Sequence, residues 1–172
     1  MKQASFLLVV IALLFTSCGE NTVVNVIDPN IDNGDYFVGS NETLEVMTWN
    51  IQEFPKSSST VGFVAQIIDS LQIDIIAMQE INSAEDFQEL ETALSGWEKF
   101  RANSASYDIN LAYFYKANLD VDNIYEIYTD DWYSFPRPPL VMEMYFQTKS
   151  YVIINNHFKA YGDEESVDRR RQ

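Results

Sequence analysis

Leu44-Glu45-Val46-Met47-Thr48-Trp49-Asn50 and Ile73-Asp74-Ile75-Ile76-Ala77-Met78-Gln79-Glu80, with one amphipathic segment between them, decide how this chain folds. The first stretch is β-prone and runs into a loop-like exit, Asn50-Ile51-Gln52-Glu53-Phe54-Pro55. Ser57 to Thr60 then offer capping hydroxyls, and Val61, Val64, Ile67, Ile68 and Leu71 recur at helical spacing. The second stretch is a short apolar run of buried-strand type. Strand, helix and strand in that order predict a parallel crossover unit, right-handed in nearly all cases. Such a unit carries the C-terminal ends of both strands to one edge of the sheet, so Asn50 and Glu80 are expected side by side. An amide oxygen and a carboxylate on that rim make a hard, oxygen-rich site suited to Mg²⁺ or Ca²⁺, most of whose coordination comes from water and substrate phosphate. Polar residues at strand ends also serve solubility alone, and the spacing by itself leaves both readings open.

Downstream, Ser83 followed by Asp86 resembles a capping box. Phe87, Leu90 and Leu94 form one face of a second helix, closed by Gly96. Strands are predicted at Trp97 to Arg101, Asn110 to Tyr115 and Asp122 to Tyr128, before Pro136, Pro138 and Pro139 break the pattern. Leu140 to Phe146 and Tyr151 to Asn156 read as a hairpin turning at Gln147 to Ser150, and Glu164 to Gln172 opens a charged helical segment. Helices alternating with strands, then strands in succession, predict a mixed α/β architecture with helices outside.

Three of these stretches carry more than periodicity. Met47-Thr48-Trp49-Asn50-Ile51-Gln52-Glu53-Phe54, Asp74-Ile75-Ile76-Ala77-Met78-Gln79-Glu80-Ile81 and Ile153-Ile154-Asn155-Asn156-His157-Phe158-Lys159 resemble three ordered motifs of the DNase I-like (endonuclease/exonuclease/phosphatase) superfamily. Leu111-Ala112-Tyr113-Phe114-Tyr115-Lys116 and Arg137-Pro138-Pro139-Leu140 look like its central strand and its Arg-Pro turn. Each motif alone is common; their order, spacing and strand placement together are specific, and they span residues 43–172. The resemblance implies a four-layer α-β-β-α sandwich and divalent-metal-dependent hydrolysis of phosphodiesters or other phosphate esters, with Mg²⁺ (or Ca²⁺ or Mn²⁺) as cofactor. Carried over, Glu80 is the principal metal ligand and a catalytic residue, and Asn50 holds the metal or a phosphate oxygen. His157, the sole histidine, donates a proton to a leaving oxygen or hydrogen-bonds a phosphoryl oxygen. Without the motif, a lone histidine at the end of an apolar strand reads as a hydrogen-bonded core residue. Arg137 clamps a phosphate with its planar fork or is a solvated Arg in a Pro-rich turn. Gln52 stands where relatives often carry a charged residue touching phosphate or metal; its neutral amide fits that role less well, and it reads equally as a loop residue. Trp49 reads as a core aromatic and Lys159 as a surface charge.

In complete relatives an Asp-x-Asn and a Ser-Asp-His motif follow; neither occurs in Phe158 to Gln172. The sandwich is therefore expected to be incomplete at its C-terminal side, and this length of chain to have negligible activity. The competing reading is a non-catalytic surface protein using the same fold for binding.

Composition and the N-terminal region set the context. Met1-Lys2-Gln3, the apolar run Phe6 to Phe15 and the small residues Thr16-Ser17 before Cys18 form the three-part layout of a secretory signal. Cys18, the only cysteine, resembles the lipidated residue of a bacterial lipobox, although Phe15 stands where Leu is usual; an ordinary signal peptide containing Cys is the alternative. Residues 1–17 are thus expected to be removed, residues 18–42 to tether, and residues 43–172 to fold. Val23 to Val26 alternatively reads as a short edge strand. The expected setting is an exported, membrane-anchored lipoprotein in the outer membrane, periplasm or cell surface. One cysteine allows no intramolecular disulfide, so stability must come from packing; 47% apolar and 14% aromatic content supply the material. The net charge of −15, from 11 Lys and Arg against 26 Asp and Glu, argues against a general nucleic-acid binder. It does not exclude a phosphate-ester substrate (nucleic acid, nucleotide or lipid head group), because a bound cation supplies local positive charge. Nothing in the sequence points to an oligomer.

Overall fold

Continuous burial along a strand means that both faces of its sheet are covered, and two strands of this chain show it. In the computed structural model, which describes residues 40 and 42–171 apart from 72 and 160, strand β2 (Ile75–Ile81) and strand β4 (Asn110–Lys116) are buried along nearly their whole length. They lie at the centre of a four-stranded sheet of order β1-β2-β4-β3, with β1 at Val46–Phe54 and β3 at Trp97–Arg101. The β1–β2 pair is parallel, joined through helix α1 (Thr60–Leu71), as the crossover reading requires. Helix α2 (Ala84–Ala93) starts at Ser83, whose hydroxyl accepts the amide of Asp86, and Gly96 follows it at φ +80°.

One face of this sheet packs on the helices. Ile76, Met78 and Phe114 meet Val61, Val64 and Ile68 of α1 and Phe87 and Leu90 of α2. Met47, Trp49 and Ile51 border that cluster, so Trp49 is the core-side aromatic the sequence suggests. The opposite face, through Ile75, Ala77, Leu111 and Tyr113, packs on Leu140, Met142 and Met144 of a second sheet. That sheet has order β5-β6-β7, with β5 at Asp120–Glu126, β6 at Leu140–Phe146 and β7 at Lys149–Asn155, all antiparallel. The described residues therefore give three layers: helices, sheet, sheet. Among them no second helical layer covers the outer face of the second sheet, where Val152, Ile154 and Tyr145 stand exposed. Helix α3 (Glu164–Arg169) lies instead against Tyr133, which its Arg169 guanidinium covers at 4.5 Å from the ring centroid.

Two boundaries differ from expectation. Strand β1 does not end at Asn50. After the Asn50–Gln79 pair, Gln52 and Glu53 take left-handed backbone conformations (φ 51° and 55°), and pairing resumes at Phe54 with Ile81. The bulge is anchored because Phe54 is fully buried beside Phe87. The β6–β7 turn is tighter than predicted: Phe146 pairs with Lys149, leaving only Gln147 and Thr148, with Gln147 at φ 54°. The expected signal peptide, Cys18 and the tether as far as residue 39 lie outside the described residues.

Candidate active site

The rim where β1 and β2 end is built from strained backbone. Glu80 sits at φ 66° within β2, and the register between β2 and β4 shifts between Met78 and Ile81. A left-handed non-glycine residue is uncommon, and such conformations persist only where the surroundings over-determine them. Here they do. The flanking Ile81 is fully buried. Its carbonyl and that of Asn82 accept from Arg101 Nε and Nη2, each at 3.0 Å. The effect is to turn the Glu80 carboxylate out of the sheet towards β1.

Asn50 meets it there. Its Nδ2 donates to Glu80 Oε1 at 2.9 Å, while its own Oδ1 accepts the Gln52 amide at 3.0 Å. The Glu53 amide donates to Glu80 Oε2 at 3.1 Å, so both carboxylate oxygens are oriented by β1 and its bulge. His157, in the segment after β7 of the other sheet, brings Nε2 to 3.5 Å from Glu80 Oε1 and 3.4 Å from Asn50 Nδ2. Arg137 Nε donates to the His157 carbonyl at 3.0 Å. Burial pulls the His157 pKa below its ordinary 6.5; the Arg137 charge adds to this and Glu80 opposes it. The imidazole is therefore neutral at pH 7, and its contact with Glu80 is a long polar approach rather than an ion pair. Its Nδ1 is buried with no hydrogen-bond partner. Burial likewise lowers the Arg137 pKa, with Glu80 opposing.

The structure thus gathers Asn50, Glu80, His157 and Arg137 from four separate segments. Gln52 contributes its backbone amide, and its side chain is exposed. Arg137 touches the site through the His157 carbonyl rather than facing the carboxylate directly. Cys18 lies outside the described residues.

Two residues that the sequence reading left without a role underlie this geometry. Gln79 and Asn155, immediately before Glu80 and two before His157, are buried between the sheets. Gln79 Nε2 donates to Asn155 Oδ1 at 2.7 Å. Asn155 Nδ2 donates to the carbonyls of Met78 (2.9 Å) and Ala112 (3.1 Å). An amide strap therefore ties the strand carrying Glu80 to the strand leading to His157. Tyr113 adds a second tie, its hydroxyl lying 3.0 Å and 2.9 Å from the carbonyls of Leu140 and Ile153. The signal was available: an amide directly after the apolar run Ile75 to Met78, within a buried strand, has to find a partner.

The donor set is one carboxylate, one amide oxygen and one imidazole. Among the described residues no group of three or more His, Cys, Asp and Glu side chains is placed to hold a metal. A protein-caged zinc site, which takes at least three such ligands, does not fit. Mg²⁺ fits better, since it is commonly held by one or two carboxylates with the remaining positions on water and phosphate.

Two sheets packed face to face, helices on the outer face of one, and a polar rim where parallel strands end define a DNase I-like fold. No family model and no curated protein matches the sequence. Solved structures match the fold. A humanized D. rerio TDP2 is 13% identical with a TM-score of 0.62, over 74% of this chain and 56% of that one. The D. rerio TDP2 complexed with a single-strand DNA product gives 12% and 0.60, over 74% and 52%. The human Nocturnin catalytic domain with bound sulfate gives 19% and 0.54, over 76% and 56%. This chain spans about half the length of each.

Proposed function

We propose that this chain carries the acid, amide and imidazole of a divalent-metal-dependent phosphodiesterase, nuclease-like in its chemistry. The single observation behind this reading is the convergence of Asn50, Glu80 and His157 within 2.9–3.5 Å of one another. Glu80 would hold Mg²⁺ (or Mn²⁺ or Ca²⁺), with Asn50 either on the metal through its amide oxygen or donating to a phosphate oxygen through its amide nitrogen. The bound ion would supply the charge that draws a phosphate ester to an acidic protein and stabilises the oxygens of the transition state. A neutral imidazole accepts hydrogen bonds at one nitrogen and donates at the other, so His157 is suited to hydrogen-bond a phosphoryl oxygen. The fold it shares with D. rerio TDP2, solved in complex with a single-strand DNA product, supports the same reading.

Hydrolysis also needs a positioned water and a base, and groups that act as a unit fail together. The described residues offer metal and phosphate ligands but no further carboxylate beside them. The chain is therefore expected to bind Mg²⁺ and phosphate while turning over bis-p-nitrophenyl phosphate at background rate. Calorimetric titration tests this: Mg²⁺ binds the unmodified chain, and Glu80→Gln abolishes it without altering the circular dichroism. Retained binding in Glu80→Gln removes Glu80 from the metal shell, and hydrolysis well above background by the unmodified chain overturns the expectation of binding without turnover.

We further propose anchorage through lipidated Cys18. Radiolabelled palmitate should enter the protein expressed in a lipoprotein-processing bacterium, and Cys18→Ser should abolish it; equal labelling of both would overturn the anchor.

A further inference from the structure

We propose that the basic, aromatic-lined pocket next to the Glu80–His157 site is a subsite for a nucleotide unit, taking the base between Trp132 and Tyr107 and a phosphate on Arg137 and Lys159. This rests on the reading above, in which the reacting phosphate lies against Glu80 and His157. The pocket shares a wall with that site, since the Arg137 that lines it also donates to the His157 carbonyl at 3.0 Å.

Charge is the first argument. The chain holds only 11 Lys and Arg against 26 acids, yet Arg137, Lys159 and Arg169 all line this one cavity and no carboxylate does. Arg169 is partly spoken for: Nη2 pairs with Glu165 at 2.5 Å and Nη1 donates to the Tyr133 carbonyl. Lys159 feels Asp163 electrostatically but forms no ion pair among the described residues. Arg137 uses Nε on the His157 carbonyl, leaving its terminal nitrogens to donate elsewhere. Three cations gathered in an acidic protein, Arg137 among them half-buried with only Glu80 to offset it, leave a place for an anion. They suffice for one or two phosphates and not for a long duplex, whose many phosphates need many more.

The aromatic residues narrow the ligand. Trp132 is 69% exposed and Tyr107 92% exposed, on different loops. Tyr107 is also held at φ 62°, a conformation bulky residues rarely adopt. The two loops are tied by the Ser106 amide donating to the Pro136 carbonyl at 2.8 Å. Flat side chains presented to solvent beside cations form a stacking platform for a base. A sugar or inositol phosphate would use the cations and leave the rings idle. At about 260 Å³ the cavity is below the roughly 300–1,000 Å³ of a whole drug-sized ligand site, so it suits one part of a longer molecule.

The test uses the chain as it is, titrated calorimetrically with 5′-AMP, ribose 5-phosphate and inositol 1-phosphate, with Mg²⁺ binding measured on the same preparation. AMP should bind about tenfold more tightly than either base-free phosphate, as one stacked base contributes. Trp132→Ala should erase that difference while leaving ribose 5-phosphate unchanged, and Lys159→Ala should weaken all three. Equal affinity for the three ligands, or a difference that survives Trp132→Ala, overturns the subsite. Both variants replace side chains outside the core, and circular dichroism verifies their folding. Mg²⁺ binding without preference for AMP sinks the subsite and spares the hydrolase reading. Preference for AMP without Mg²⁺ binding does the reverse.

Discussion

Ile75-Ile76 in β2 and Ile153-Ile154 in β7 are the same dipeptide in strands of the same length, and they meet opposite fates. Both residues of the first pair are fully buried, one facing the helices and one facing the other sheet. In the second pair Ile153 faces the intersheet core, while Ile154 points outward and is 51% exposed. Among the described residues, one sheet is covered on both sides, whereas the outer face of the other leaves Ile154, Val152 and Tyr145 exposed. The candidate site spans that divide, with Asn50 and Glu80 on the covered sheet and His157 just beyond the half-covered one. The amide strap of Gln79 and Asn155 joins the two sheets.

The comparison breaks most visibly at Ile76. Truncation to Ala removes most of a fully buried side chain and leaves a cavity that the rigid sheet and α1 cannot collapse into, so Ile76→Ala should cost about 2–5 kcal/mol. Urea unfolding measures it, and a loss near zero would show that the helix-facing core is loosely packed.

Next in size is the strap. Asn155→Leu removes the acceptor of the Gln79 amide and the donor to two buried carbonyls. Gln79 Nε2 keeps weaker options at Thr48 Oγ1 (3.1 Å) and the Ala77 carbonyl (3.0 Å), but the Met78 and Ala112 carbonyls lose a donor. Each unsatisfied buried group costs about 1–3 kcal/mol. The same variant should weaken Mg²⁺ binding although it touches neither Glu80 nor Asn50, since the strap holds Met78 and Gln79 at the end of β2 that presents Glu80. A destabilised variant with unchanged Mg²⁺ affinity would reduce the strap to a purely structural element.

Acid should act in turn on the site and on the opposite end of β2, where Asp74 precedes Ile75. The folded pKa of His157 lies below 6.5, so its contribution is fully present above that value and is lost as pH falls through the folded pKa. Asp74 follows at lower pH. Burial raises its pKa, but the Glu45 amide at 2.9 Å and Lys116 Nζ at 2.9 Å outweigh that and hold it below 3.8. Its contribution is present above about 3.8 and disappears as the carboxylate protonates in the fold. Unfolding free energies at pH 7.5, 5.5, 4.5 and 3 should therefore fall in two stages, and His157→Gln should remove only the first. Persistence of the first stage in that variant would assign it to another group.

Much of this was legible in sequence because it is local. Spacing of Val61, Val64 and Ile68 gave α1, Ser83 and Asp86 gave the start of α2, and the crossover placed Asn50 beside Glu80. The bulge at Gln52 and Glu53 was not legible, since nothing in those residue types demands a left-handed backbone. What forces it is the distant burial of Phe54 against Phe87. Nor did periodicity reveal the Gln79–Asn155 bond, which joins residues 76 positions apart, or that Lys159, read as a surface charge, lines a pocket with Arg137. Motif order assigned chemistry to the rim, whereas contacts closed by loops on different sheets became visible only in three dimensions.

The smallest effect belongs to Ile154, and it is the sharpest test of the contrast. If the outer face of the second sheet is as bare as its exposure indicates, Ile154→Ala forfeits a side chain that was half in water already. Its register partner across the ladder, Val141, is only 3% exposed and retains its other contacts. The change should fall within about 0.5 kcal/mol, the range for surface substitutions away from special features, against the several expected at Ile76. A small loss of β-propensity is all that remains. Should Ile154→Ala instead cost as much as Ile76→Ala in urea unfolding, the outer face is packed against something in solution, and the two isoleucine pairs would be alike after all.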